Sequence, residues 1–116
     1  MSDKARTGAT GENLAAEYFV SKGFDVVARN FRYHKAEIDL IVQRDNWLVF
    51  VEVKTRKSDA FGAPETFVSD YQRRLIFDAA EEYIYRHDWK GHIRFDIVSV
   101  TLAGEPRVEH FVDAIS

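Results

Sequence analysis

Residues 36–43 and 47–55 form two runs rich in β-formers, separated by Arg44-Asp45-Asn46, in which charged side chains recur at every second residue, Glu37 and Asp39 in the first and Glu52 and Lys54 in the second. No other feature narrows the fold as far, because alternation at every second residue requires a strand with two unlike faces, and Asp and Asn are turn formers. In the second run Val49, Val51 and Val53 share one face, while Phe50, Glu52, Lys54 and Arg56 share the other. In the first, Ile38, Leu40 and Val42 share a face opposite Glu37, Asp39 and Ile41. One core face is expected to take both apolar triplets. A hairpin that turns on Asp45 and Asn46 pairs Arg44 with Trp47, and so sets Asp39 opposite Glu52 and Glu37 opposite Lys54.

Side chains directly opposed on neighbouring strands have Cβ atoms about 4.5 to 5.5 Å apart, where two carboxylates destabilise the sheet unless a proton or a cation joins them. Magnesium (or manganese) suits such a place, since it takes oxygen ligands, accepts one or two protein carboxylates and keeps waters or phosphate oxygens for the rest. Asp39 and Glu52 are thus candidate metal ligands. Lys54, on the face of Glu52, can orient an attacking water and offset charge on a phosphate oxygen. Glu-x-Lys alone is ordinarily a solvated pair of charges; the opposed aspartate, under a face that helices can cover, gives it weight. Glu12 is the fourth candidate, on the helical side of Ala15, Ala16 and Phe19, where its ordinary role would be a first-turn acid favoured by the helix dipole.

Elsewhere the periodicity predicts a helix over 10–22 ended by Gly23, a strand over 24–31, and a loop over 57–66 containing Phe61-Gly62-Ala63-Pro64. A second helix is expected over 69–87, with Ser69 and Gln72 in capping-box spacing and Gly91 beyond its end, then strands over 92–101 and 107–112. The order is αβββαββ, an α/β fold with a mixed sheet flanked by helices, in one domain spanning residues 1–116. Sixteen Lys and Arg against 19 Asp and Glu give a net charge of -3, the wrong sign for coating nucleic acid by bulk charge. Any phosphate-binding surface has to be local. Cysteine is absent, which excludes a disulfide scaffold, a thiolate zinc site and a catalytic thiol. The first residues lack a signal peptide's apolar stretch, and no run nears the roughly 20 apolar residues of a membrane span, so a cytoplasmic protein without membrane contact is expected.

The segments Gly8-Ala-Thr-Gly11-Glu12, Ala15-Ala16-Glu17-Tyr18, Arg29-Asn30, Glu37-Ile38-Asp39-Leu40-Ile41, Val49-Phe50-Val51-Glu52-Val53-Lys54-Thr55-Arg56, Phe61-Gly62 and Arg94-Phe95-Asp96 together resemble the YraN family. That family is endonuclease-like, similar in fold to the restriction-endonuclease-like superfamily with its PD-(D/E)XK site and to archaeal Holliday junction resolvases. The resemblance implies that Asp39 is the metal-binding aspartate, Glu52 the second acidic ligand, Lys54 the catalytic lysine, and Glu12 the helix glutamate of resolvase-like members. Two positions depart from the family pattern. Ala36 stands where Gly is usual before Glu-Ile-Asp, and Tyr71 stands where many members carry Lys.

The expected function is a metal-dependent nuclease hydrolysing phosphodiester bonds in nucleic acid, DNA first and branched DNA included. Arg56, Lys57, Arg73 and Arg74 would hold the backbone, and Tyr71 or Phe61 would offer a stacking surface. Cutting two strands with a single-site domain favours a homodimer. The alternative is a non-catalytic nucleic-acid- or protein-binding module on the same fold. His34, His87, His92 and His110 lack metal-ligand spacing and are expected at the surface or at caps, and Asp96 is expected as a structural partner for an arginine.

Overall fold

The computed structural model describes residues 3–57 and 68–116, with the backbone alone for residues 3–8. Nearly all of the loop expected over 57–66, including Phe61, lies outside the described residues. Seven elements follow in the expected order: α1 (Asp3–Ser21), β1 (Asp25–Tyr33), β2 (Ala36–Arg44), β3 (Trp47–Arg56), α2 (Asp70–His87), β4 (His92–Thr101) and β5 (Arg107–Phe111). The strands form one sheet in sequence order. Neighbours are antiparallel except β3 and β4, which run parallel. A parallel pair needs a crossover, and α2 lies within it.

The two helices cover opposite faces. Ala15, Ala16 and Phe19 of α1 pack with Leu40, Val42, Val49, Val51, Val98 and Val100. Ala79, Ala80 and Tyr83 of α2 pack with Ile38, Ile41, Leu48 and Phe50. Consecutive residues such as Leu48 and Val49 therefore enter different cores, which explains why the middle strands read as nearly continuous apolar runs. No helix among the described residues is long and apolar enough to cross a membrane.

Three sequence expectations change. Helix α1 starts at Asp3 rather than near Thr10. Its other end is as expected, with Gly23 at φ 89° and the Phe24 amide donating to the Phe19 carbonyl at 3.0 Å. At α2, Ser69 accepts from the Gln72 amide at 3.1 Å, but Asp88, in the left-handed region at φ 49°, ends the helix in place of Gly91. Gly91 serves close packing: a Cβ there would lie 2.3 Å from Asn46 Oδ1 and 2.6 Å from the Asn46 carbonyl oxygen, beside the bond from the His92 amide to that carbonyl. Third, Ile38 leaves the α1 core of Leu40 and Val42 and packs under α2.

That third change locates an irregularity. Ile38 and Ile41, three residues apart, face the same helix, as do Ala28 and Phe31 on the neighbouring strand. Side chains three apart on a regular strand point to opposite faces. Both strands thus reset their alternation at facing positions, Asp39 on β2 and Asn30 on β1, and Asn30 takes a left-handed φ of 51°.

Candidate active site

The hairpin holds its expected register from Arg44 opposite Trp47 to Leu40 opposite Val51, and there the pairing stops. Strand β3 continues against β4 as far as Arg56, so β2 peels away and leaves a fork. Continued pairing would set Ile38 against Val53. Instead the Val53 amide donates to Asp39 Oδ2 at 2.8 Å, so the carboxylate takes up a backbone donor that the fork leaves without a strand.

Asp39 and Glu52, from the two arms, are in hydrogen-bonding contact, with Lys54 close enough to favour the charged form of both. Burial raises the Glu52 pKa first, the Asp39 charge raises it further, and Lys54 opposes them incompletely, so it is pushed up to about 8. Asp39 is also raised, by burial first and then by Glu37, against the Val53 amide, the Glu52 hydrogen bond and Lys54. The pair holds a proton where an isolated carboxyl would have lost it. What the arrangement can do chemically is exchange that proton for a cation.

Glu12 extends the cluster from the helix. Gly11 admits it: a Cβ on Gly11 would lie 1.9 Å from Thr55 Oγ1, so α1 crosses β3 at a distance only glycine allows, one residue beyond Lys54. Burial, then Asp39, then Glu37 raise the Glu12 pKa, while Asn30 and Arg29 lower it. With its amide nitrogen turned toward the acids, Asn30 donates to Glu12 Oε1 and to Glu37 Oε1 at 3.1 Å each. Glu37 does not reach the expected place opposite Lys54 in the ladder; it pairs with Arg32 at 2.8 Å. Among the described residues no three His, Asp or Glu side chains converge as a ready-made cation cage. The donor set is a carboxylate pair with a third acid at a distance.

The fork thus gathers Glu12, Asp39, Glu52 and Lys54. Of the expected backbone-binding residues, Arg56 is half-buried at the end of β3, Lys57 is exposed just after it, and Tyr71, Arg73 and Arg74 are on the first turns of α2. Arg73 is committed to Asp70 at 3.0 Å and to the Ser116 carbonyl at 3.2 Å. Sequence reasoning missed Asn30, Arg29 and Arg32 as neighbours of the acids, although Asn among β-formers was a signal for a left-handed position. It also misplaced His110. That side chain is neither a surface nor a capping residue: Nε2 lies 2.6 Å from Asp96 Oδ2 and Nδ1 lies 3.0 Å from the Tyr18 hydroxyl. Asp96 does partner an arginine, Arg94, through two bonds of 2.8 Å.

The comparisons with known proteins cover the same ground. The model of the uncharacterised protein family UPF0102 matches residues 11–100, from Gly11 at the helix crossing to Val100 on β4. A UPF0102 protein of Solibacter usitatus is 48% identical over 88% of this chain and 80% of its own length. Relatives from Flavobacterium psychrophilum and Cytophaga hutchinsonii are 42% and 41% identical, the first over 98% of this chain and 97% of its own, the second over 91% and 92%. The matched span contains every residue of the fork, and the chain belongs to the UPF0102 family, the YraN-like group that its motifs resemble.

Proposed function

We propose that this protein is a divalent-metal-dependent nuclease that hydrolyses phosphodiester bonds in nucleic acid, with DNA, branched DNA included, as substrate, on a fold similar to the PD-(D/E)XK superfamily. The observation that carries the reading is the fork itself: two carboxylates from diverging strands, each with a raised pKa, beside a lysine two residues beyond the second. Buried acids that retain a proton are short of a cation, and hard oxygen donors of this kind fit magnesium or manganese. Asp39 and Glu52 would hold it, and Glu12 would complete its shell directly or through a water. Bound there, the cation supplies charge neutralisation at a phosphoryl oxygen and raises the acidity of water.

The chain's own groups do the rest. The Val53 amide fixes one Asp39 oxygen, so the carboxylate meets its ligand already oriented. Lys54 orients the attacking water in line with the ester bond to be broken and offsets charge gathering on the phosphate. Water's oxygen bonds to phosphorus and gives up a proton, one P–O ester bond breaks, and the leaving oxygen takes a proton in turn, so that the protons balance. One site cuts one strand, so cutting a duplex calls for a homodimer.

The test is a cleavage panel of single-stranded, duplex, flap and four-way-junction DNA with magnesium or manganese. Asp39→Ala, Glu52→Ala and Lys54→Ala should each lower cleavage by at least about a hundredfold. Undiminished cleavage by any of these variants, once shown folded, removes the assignment. A wild type that binds these probes and cuts none replaces it with a non-catalytic binding module.

A further inference from the structure

Strand β1 carries Arg29 and Arg32, three positions apart, which on a regular strand would point to opposite faces. Asn30, at φ 51°, resets the alternation between them. Ala28 and Phe31 both turn to α2, so Arg29 and Arg32 both turn to the α1 side, where the acids are. The contacts agree: Arg29 Nη1 donates to Asn13 Oδ1 on α1 at 2.7 Å, and Arg32 Nε donates to Glu37 Oε2 at 2.8 Å. Arg29 is close enough to Glu12 to lower its pKa. Both arginines are exposed, Arg32 at 77%, and it is the ε nitrogen of Arg32 that Glu37 engages. A buried ion-pair role would enclose the guanidinium; here both side chains are exposed to solvent beside the acids.

Glu12, Glu37, Asp39 and Glu52 lie together in a chain of net charge -3, a field that repels a polyanion. A nucleic-acid backbone can approach only where cations offset that field, and a planar guanidinium with spare N–H groups grips phosphate with two bonds. Of the cations expected to do this from sequence, Arg73 is already held by Asp70 and the Ser116 carbonyl.

We propose that Arg29 and Arg32, turned to one side by the left-handed Asn30, form a phosphate subsite that holds the nucleic-acid backbone next to the Asp39–Glu52 pair. This rests on the nuclease reading and gives the substrate's phosphates a place in it. Recognition there is of backbone charge, so it is indifferent to base sequence.

The experiment is fluorescence anisotropy of the full chain with labelled single-stranded, duplex and four-way-junction DNA across a salt series. Calcium, another oxygen-ligated cation, replaces magnesium. The Arg29→Gln/Arg32→Gln variant should lower the slope of log affinity against log salt by about 2, about 1 for each phosphate that is no longer neutralised, on every probe sequence alike. The control, Arg86→Gln/Lys90→Gln, removes the same charge from the end of α2 and the turn after it and should leave the slope unchanged. Thermal melts establish that each variant is folded; if the double variant is not, each single Gln variant carries the test with half the change. An unchanged slope, or an equal fall in the control, overturns the subsite while a wild type that still cuts DNA keeps the nuclease reading. A wild type that neither binds in calcium nor cuts in magnesium removes both.

Discussion

Two carboxylate sites share this sheet, one fully buried at Asp96 and one half-buried at Asp39 and Glu52, and they differ in how completely their charges are partnered. Asp96 on β4 is fully buried and accepts from Arg94 twice at 2.8 Å, from His110 at 2.6 Å and from the Asp113 amide at 2.9 Å. Burial alone would raise its pKa, but the His110, Arg94 and Asp113 bonds outweigh that and hold it below the ordinary 3.8. At the fork, Asp39 and Glu52 have one amide and one lysine between them, burial wins, and both are raised. A carboxylate that has all its partners is a structural anchor. A pair left short, on strands that separate at that point, is arranged for something that arrives later.

The largest effect expected from this difference is at Asp96. Asp96→Ala leaves a partly buried guanidinium and imidazole without their carboxylate, and breaking a buried pair from one side costs about 3 to 5 kcal/mol. Urea unfolding should show that loss equally in chelator and in magnesium. A cost below about 1 kcal/mol would mean that water replaces the carboxylate and that the site is not an anchor.

Asp39→Asn should behave in the opposite way. For Glu52 the folded pKa, about 8, lies above the ordinary 4.5, so the folded chain binds the extra proton. The stability this gives is fully present below pH 4.5 and lost as pH rises through about 8. Asp96, held low, contributes stability above 3.8 that is lost only as pH falls. Chelated wild type should therefore weaken as pH rises from about 4.5 to about 8, and Asp39→Asn, by removing one charge, should weaken less and melt at or above wild type near pH 8. Magnesium should reverse the order, because a native-state ligand at about a hundred times its Kd stabilises by about 2.7 kcal/mol and the variant has lost a ligand. Calorimetry at several pH values decides the point: a variant less stable than wild type in chelator, with no reversal in metal, would make Asp39 a second Asp96.

The contrast was half legible in the sequence. Alternation and the Asp45-Asn46 turn give the register from Leu40 to Arg44, and that register brings Asp39 toward Glu52. What pattern could not show is that pairing ends at Leu40, since the fork depends on the left-handed Asn30 on another strand and on a reset at Asp39 that moves Ile38 to the other core. Arg94 and Asp96 were readable as neighbours because two residues on one strand share a face. The rest of the anchor was not, because Tyr18 and His110 are 92 residues apart and meet only when α1 lies against the α1-facing side of β5. Local chemistry was visible; the partners that saturate or fail to saturate it came from long-range packing.

The smallest effect tests whether the anchor acts as one unit. The Tyr18 hydroxyl lies at the outer end of a line that continues through His110 to Asp96 and Arg94. Tyr18→Phe keeps the ring edge-on to Phe19 and removes one hydrogen bond, a loss of about 0.5 to 1.5 kcal/mol that metal should not alter. If the chain polarises along its length, the imidazole loses more than one neighbour's worth, and a cycle with Asp96→Asn should show a coupling of at least about 0.5 kcal/mol although no Tyr18 atom bonds Asp96. Strict additivity would reduce the network to independent pairs. No such coupling is expected between Tyr18→Phe and Asp39→Asn, since they belong to separate sites, and finding one would mean that the saturated and unsaturated carboxylates answer to each other across the sheet.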